Sequence, residues 1–202
     1  MSTLLPESFY LSKDVLHIAK SLIGKVINTN IEGKFTSGMI VETEAYRAPD
    51  DKACHAYNNR LTNRTKVMFE KGGIAYIYLC YGIHHLFNVV TADAGLAHAI
   101  LIRGIEPLDG ISTMCDRRRK SKIDYSLTSG PGTASLALGI TSKLSGISIT
   151  KTNSPIYLTD YKTFHKERIF ASPRVGIDYA EECAKWPWRF RLKESPWTSK
   201  PN

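Results

Sequence analysis

The sequence predicts an α+β fold, a single mixed domain over residues 1–202 with a curved, mainly antiparallel sheet flanked by helices. Strand-like runs are joined by short turns, which antiparallel neighbours allow. Helical periodicity is confined to a few segments between them. No internal repeat, low-complexity stretch or linker divides the chain, and its 202 residues, 43% of them hydrophobic, can bury one full core.

The amino-terminal part predicts a helix followed by a hairpin. Between Ser12 and Gly24 apolar residues recur at helical spacing, which predicts an amphipathic helix capped by Ser12 or Asp14 and ended by Gly24. The runs 25–30 and 35–46 have the composition of strands and are joined by a short turn at Glu32-Gly33. They therefore predict a β-hairpin.

Later elements follow from the same patterns. The segment 72–90 carries no formal charge and is long enough to cross a bilayer, but its tyrosines, histidines and glycines favour buried sheet instead. Further strands are predicted at 73–79, 83–91, 97–103, 156–158, 174–177 and 189–192. A helix is predicted at 111–122 and a small one near Glu181, and a turn at 129–132 opens another helix that runs through Leu138 and stops at Gly139.

Charge and cysteine usage limit the partners and the compartment. Lys and Arg number 27 against 19 Asp and Glu, a net charge of +8 that favours polyanionic partners, nucleic acid first and acidic membrane second. The four cysteines lie far apart, without a CxxC pair, as expected for reduced thiols. The polar start at Ser2 and Thr3 does not resemble a signal peptide, so we expect a cytoplasmic protein, nucleoid-associated if bacterial.

One strand carries a candidate general base. By the two-residue period Glu42, Glu44 and Tyr46 share one face, and a carboxylate between aromatic and apolar neighbours can be partly desolvated and tuned as a base. An isolated ExE pair more often binds an arginine or caps a turn. His55, in the polar loop that follows, could fold back over Glu44 or be an ordinary surface residue. The histidines show no metal-ligand spacing, so no metal site is expected.

Aromatic and basic residues suggest contact with bases and phosphates. Tyr81 precedes Gly82 at a predicted turn, where an exposed aromatic ring can wedge into a duplex; for Tyr76 ordinary core packing is the expectation. Arg103 ends an apolar strand and could orient an anion or a water, or only anchor Glu106. The basic runs at 117–122 and 189–193 could line phosphates, or be a solvated helix end and an edge strand.

Taken together, these tracts resemble the alkyladenine (3-methyladenine) DNA glycosylase family of the mammalian AAG/MPG type, in a compact, bacterial-type form. The resemblance runs in order over nearly the whole chain. It is carried by Ile40-Val41-Glu42-Thr43-Glu44-Ala45-Tyr46, His55, Tyr76-Ile77-Tyr78-Leu79-Cys80-Tyr81-Gly82, Asn88 and Leu101-Ile102-Arg103-Gly104-Ile105-Glu106-Pro107-Leu108, with support from Ser129-Gly130-Pro131-Gly132, Arg174-Val175-Gly176-Ile177 and Ser195-Pro196-Trp197.

The resemblance implies a monofunctional DNA repair enzyme. It would flip damaged purines (3-methyladenine, hypoxanthine, related alkylated or etheno purines) out of duplex DNA and hydrolyse the N-glycosidic bond, leaving an abasic site. Glu44 matches the general base that activates water, and Arg103 and the backbone carbonyl of Val175 match groups that hold that water. Glu42 matches no catalytic role and is expected to be structural.

The resemblance also implies a base pocket and a wedge. Tyr46, His55 and Tyr78 match the residues that sandwich the flipped base, and Asn88 matches the side chain that excludes normal purines through their exocyclic amino groups. Tyr81 matches the tyrosine that intercalates in the gap left by the extruded nucleotide.

The expected partner is double-stranded DNA containing damaged purines, bound by a monomer without metal, cofactor or membrane. Two alternatives stay open. One is a non-catalytic module that binds damaged nucleic acid or RNA through the same aromatic pocket. The other is an unrelated formyl- or methyl-transferring enzyme on a similar fold, although no glycine-rich dinucleotide fingerprint supports it. The loops at 83–85 and 58–66 depart most from the family, so they leave the lesion preference open.

Overall fold

The computed structural model describes residues 3–200. Its strands are β1 (Val26–Ile31), β2 (Lys34–Arg47), β3 (Ala75–Cys80), β4 (His84–Thr91), β5 (His98–Asp109), β6 (Ile156–Thr159), β7 (Ile169–Ser172) and β8 (Arg189–Leu192). Its α-helices are α1 (Val15–Ser21), α2 (Ile111–Arg118) and α3 (Pro131–Ala137). Short 3-10 helices cover Glu7–Tyr10, Tyr57–Asn59, Lys66–Phe69, Tyr125–Leu127, Ser142–Leu144, Lys166–Arg168 and Asp178–Lys185.

The eight strands form one sheet. Its order is β3-β4-β5-β2-β1-β6, and β8 pairs with both β2 and β7. Every pairing between these strands is antiparallel. The predicted α+β fold with a mainly antiparallel sheet is therefore confirmed.

The predicted first helix and hairpin form as α1, β1 and β2. Of the two candidate caps, Asp14 is the residue used: its carboxylate accepts hydrogen bonds from the amides of Leu16 (3.0 Å) and His17 (2.9 Å), which the first turn of a helix leaves unpaired. Glu32 and Gly33 both have positive φ and close the turn between β1 and β2. The hairpin fixes β2 as a central strand, with β5 on its other side.

The two faces of the sheet have different roles. Ala45, Ile77, Val89 and Ile100 point into the main core, which packs against the helices. Because side chains alternate along a strand, the neighbouring positions point to the other face. There a smaller cluster forms, with Tyr76, Val90 and Ala99 among its buried members. This second face carries the candidate site.

A β-bulge lies where β2 and β5 pair beside the site. Glu42 is opposite Gly104 and Thr43 is opposite Ile102, so Arg103 is an extra residue on β5. A bulge bends the strand locally and redirects a side chain, and bulges are frequent beside active sites. Here the redirected side chain is Arg103.

Two predicted strand boundaries are wrong. Residues 174–177 form a loop, because Gly176 adopts a positive φ and the Arg174 side chain turns inward to Asp51; the strand of this region is β7. The strand predicted to end at Arg103 continues to Asp109, since the bulge accommodates the break in the pattern.

The uncharged segment 72–90 is confirmed as sheet. It contains β3 and β4, which pair with each other across a tight turn. Within residues 3–200, no helix combines the length and apolar character needed to cross a membrane.

Gly110, between β5 and α2, provides a test of the packing. It has a φ of +68°, and a Cβ there would overlap the carbonyl oxygen of Phe35. Gly33 has a similar φ of +71° but nothing within 4 Å of the same position. Both alanine variants pay the left-handed backbone cost, but only Gly110→Ala also overpacks, so we expect it to lower the free energy of unfolding by about 1–3 kcal/mol more than Gly33→Ala. Urea denaturation measures the difference, and equal losses would contradict this packing.

Candidate active site

A cavity of about 390 Å³ opens on the second face of the sheet. Its volume falls within the range of small-ligand sites, and its wall contains five tyrosines and a histidine. The loop at 51–64, the β3–β4 hairpin and the segment 175–179 enclose it. The site residues that the resemblance implies all line it, namely Glu44, Tyr46, His55, Tyr78, Tyr81, Asn88, Arg103 and Val175.

Glu44, on β2, forms part of the cavity wall although its side chain is 0% exposed. The Tyr46 hydroxyl donates to its Oε2 (2.8 Å) and the Val175 amide donates to its Oε1 (2.9 Å). Arg103 Nη1 lies 3.4 Å from Oε2. Because all of these partners are donors, the carboxylate is the acceptor in each contact, and its orientation is fixed. The resemblance implied a role for the Val175 carbonyl, whereas the contact to Glu44 is made by the amide of that residue.

Tyr46 joins the carboxylate to the aromatic wall. Burial, reinforced by the charge of Glu44, raises the pKa of its phenol well above the usual value, so the hydroxyl stays protonated and remains a donor. The Arg174 guanidinium lies 4.7 Å from the Tyr46 ring centroid. It is held there by Asp51, which accepts from Nη1 (2.6 Å) and Nη2 (2.8 Å). The ring is thereby fixed as a flat surface beside Glu44.

His55 and Tyr78 form a second part of the aromatic wall. Their rings meet edge to face with centroids 4.7 Å apart. Arg64 Nη2 lies 3.1 Å from His55 Nε2, and His55 Nδ1 lies 2.9 Å from the Tyr76 hydroxyl. Since an arginine only donates, Nε2 is the acceptor and Nδ1 carries the proton. Burial and the Arg64 charge lower the pKa of His55 to about 4, which keeps the imidazole neutral at pH 7.

Asn88, on β4, is fixed by the main chain. Its amide nitrogen donates to the carbonyl oxygens of Tyr76 (3.1 Å) and Leu86 (3.2 Å), and the residue is buried. Two donors and two acceptors are thus matched, so the amide has no freedom to turn. It presents a rigid polar group to the cavity.

Tyr81 occupies the tip of the β3–β4 hairpin, at the mouth of the cavity, and is 90% exposed. Tyr81 and Gly82 both have positive φ, and the Ile83 amide donates to the Cys80 carbonyl at 3.1 Å. These are features of a type I′ hairpin turn. The turn therefore holds a large ring in solvent, where it contributes little to the stability of the fold.

Three residues of the site were missed or only partly recognised from the sequence. Tyr76 is buried as expected but also hydrogen-bonds to His55; its two-residue spacing from Tyr78 was the available signal. Arg64 contacts His55, and its guanidinium lies 4.8 Å from the Tyr78 ring centroid; no local sequence pattern predicts either contact. Tyr179 lines the mouth of the cavity and is 66% exposed, on a kinked 3-10 segment that sequence periodicity does not resolve.

Some of the basic residues considered as phosphate contacts have structural partners instead. Arg189 is buried and binds Glu42 (2.6 Å). Arg117 and Arg118 donate to backbone carbonyls of Ala137 and Leu127, which closes the loops around α2. Over residues 3–200, no group of three or more His, Cys, Asp or Glu side chains could hold a metal ion.

The chain is similar to known proteins over almost its whole length. A family model described as Methylpurine-DNA glycosylase (MPG) matches residues 8–196. A relative from Chlamydia felis is 52% identical over 190 residues, 94% of this chain and 96% of its own. One from Bacillus cereus (strain G9842) is 46% identical over 203 residues, 96% of this chain and 98% of its own. Both carry the name "Putative 3-methyladenine DNA glycosylase".

A DNA-repair class is thereby defined: the protein is a DNA glycosylase, acting on DNA. More particularly, the chain belongs to the methylpurine-DNA glycosylase family. The family resemblance inferred from the sequence is confirmed.

The environment of His55 can be tested by NMR. We expect its ring to be the neutral Nδ1–H tautomer at pH 7 and to protonate with a midpoint near the pKa of about 4. The stability that this neutral ring contributes is complete above about pH 6.5, the pKa of an unfolded histidine, and is lost as the pH falls from there towards about 4.

Long-range ¹H–¹⁵N spectra report the tautomer and the midpoint. Arg64→Gln removes the neighbouring charge and should raise the midpoint, while the urea-unfolded chain should titrate near pH 6.5. A midpoint near 6.5 in the folded protein would contradict this environment.

Proposed function

We propose that the protein hydrolyses the N-glycosidic bond of damaged purines in duplex DNA, with Glu44 activating the attacking water. The substrates would be 3-methyladenine, hypoxanthine and related alkylated or etheno purines, and the reaction would leave an abasic site without cutting the strand. The observation that carries the proposal is the Glu44 carboxylate in the wall of an aromatic cavity. The function is assigned to one domain, because strands from both ends of the chain belong to the same sheet, and the protein would act as a monomer.

A purine can enter such a cavity only after leaving the base stack, which costs a few kilocalories per mole and least at a lesion that is already poorly paired. The rings of Tyr46, His55 and Tyr78 would offset this cost by stacking on the extruded base. Stacking tolerates different lesions, and an electron-poor alkylated purine gains further attraction to a tyrosine face. The rigid Asn88 amide would exclude normal purines from the cavity, because it cannot turn to accommodate their exocyclic amino groups.

The chemistry follows from what surrounds Glu44. The carboxylate would take a proton from water while the water oxygen bonds to C1′, and the C1′–N bond would break with its electron pair leaving on the base. Developing positive charge on the sugar would be stabilised by the same carboxylate. Arg103 and Val175 would keep Glu44 in position. A cationic lesion such as 3-methyladenine leaves as a neutral base, whereas hypoxanthine must also acquire a proton.

The proposed role of Tyr81 is to fill the gap in the duplex. Its ring is exposed on a rigid turn beside the cavity mouth, so insertion costs little rearrangement. The net charge of +8 would favour the approach of DNA and make binding weaken with salt.

Glu44→Gln tests the proposed base. The amide keeps the size of the side chain but cannot take up a proton, so we expect single-turnover base release to fall by about 10²- to 10⁴-fold with lesion-duplex affinity largely retained. Release is measured as abasic sites on a panel of single-lesion duplexes. The exposed Glu7→Gln is the matched control. Unchanged release by Glu44→Gln would exclude this base, and a wild-type protein that binds lesions but releases none would favour the binding module.

Tyr81→Ala tests the wedge. Without the ring, nothing fills the gap that the extruded nucleotide leaves in the duplex, so the flipped state is less stable. Excision from duplexes should therefore fall roughly tenfold, and excision from unpaired substrates should fall much less. Tyr161, another exposed tyrosine, supplies the control variant Tyr161→Ala. Equal losses on paired and unpaired substrates would count against intercalation.

A further inference from the structure

A second buried carboxylate shares the arginine that contacts Glu44. Glu42 lies two positions earlier on β2, on the same face, and its side chain is fully buried. Its Oε1 accepts from Arg103 Nε (3.0 Å) and from Arg189 Nε (2.6 Å). Arg103 Nη1 points instead to Glu44. One guanidinium therefore joins the two carboxylates.

The carboxy-terminal segment closes this cluster from the other side. The Ser199 amide donates to Glu42 Oε2 (2.6 Å), and its hydroxyl donates to Oε1 (2.8 Å). Arg189 Nη2 donates to the Ser199 carbonyl (2.9 Å), and Arg103 Nη2 lies 3.3 Å from the Ser199 hydroxyl. Every nitrogen of the Arg103 guanidinium thus has a partner, and its plane cannot rotate without breaking one of these contacts.

Gly104 supports the same arrangement independently. A Cβ at this position would lie 2.8 Å from the Trp197 carbonyl oxygen and 3.3 Å from Glu42 Oε2. Its φ is outside the left-handed region, so the backbone itself would accept another residue. The absence of a side chain is required by the carboxy-terminal segment passing over the bulge.

The charges of the cluster balance. Glu42 and Glu44 face Arg103 and Arg189, all four buried. Burial alone would lower the pKa of Arg103, but the charges of Glu44 and Glu42 outweigh it and the pKa is raised. Neutralising Glu42 would leave the buried cations Arg103 and Arg189 with one carboxylate, Glu44, which contacts Arg103. Both the position of the Glu44 carboxylate and the electrostatic field acting on it would then change.

We propose that Glu42 and Ser199 are positioning residues for the hydrolytic step: they clamp Arg103 so that its Nη1 is presented to Glu44. This role rests on the proposed function. Through this role the segment at 197–199, which is distant in sequence from β2, would control the position of the Glu44 carboxylate. Its effect falls on the chemical step, because neither residue lines the cavity that would receive the purine.

The test compares Glu42→Gln and Ser199→Ala with the wild type, using whichever lesion duplex the wild type processes. We expect single-turnover release to fall by roughly tenfold to a hundredfold for Glu42→Gln, and by a smaller factor for Ser199→Ala, with Kd for the lesion duplex within about twofold of wild type. Ser199→Thr keeps both donors and should restore most of the rate. Glu7→Gln and Ser126→Ala, both at exposed sites, are the matched controls.

The outcomes separate this role from the proposed function. If the wild type releases no base from any lesion duplex, the proposed function fails. If the wild type is active and both variants match its rate per folded molecule, the clamp is overturned even where Tm falls. A parallel rise in Kd that accounts for the loss would overturn it as well. Should Glu42→Gln not fold, Ser199→Ala and its threonine counterpart decide the question.

Discussion

The hydrogen bonds that hold the Glu44 carboxylate in the wall of an aromatic cavity are the interaction on which the rest of the structure depends. A carboxylate that has lost its water shell needs hydrogen-bond donors in fixed places, because each buried polar atom left without a partner costs free energy. Tyr46 supplies one donor from the same strand, and Val175 supplies another from a distant loop. The alternation along β2 places Tyr46 beside Glu44, and the pairing of β2 with β5 brings Arg103 to the same carboxylate.

Cations surround the aromatic wall as well as the carboxylates. Arg174 lies behind Tyr46 and Arg64 lies over Tyr78, so both stacking surfaces are held by guanidinium groups. Each guanidinium has a second partner that fixes it, Asp51 for Arg174 and His55 for Arg64. His55 stays neutral because it is buried and lies beside the positive charge of Arg64. The rings are thus positioned before a base arrives, and little ordering entropy remains to be lost on binding.

Local patterns predicted the fold and singled out part of the cavity wall, whereas Asn88 and Val175 were named only through the family resemblance. The two-residue period placed Glu42, Glu44 and Tyr46 on one face, and a tyrosine before glycine at a turn gave the exposed tip. The individual roles came from the family resemblance. What could not be predicted depends on contacts between distant positions: Ser199 and Glu42 are separated by 157 residues, and Arg189, which binds the same carboxylate, is buried. The bulge at Arg103 depends on the register of two strands, which a single sequence does not specify.

The most direct test of the central claim compares two uncleavable abasic-site analogues in otherwise identical duplexes. One has a cationic, nitrogen-containing five-membered ring that mimics the charge developing at the sugar, and the other is its neutral tetrahydrofuran counterpart. If Glu44 faces that charge, the wild type should bind the cationic analogue at least about tenfold more tightly, and Glu44→Gln should lose this preference. Equal affinity of the wild type for both analogues, or a preference that survives in Glu44→Gln, would contradict the account.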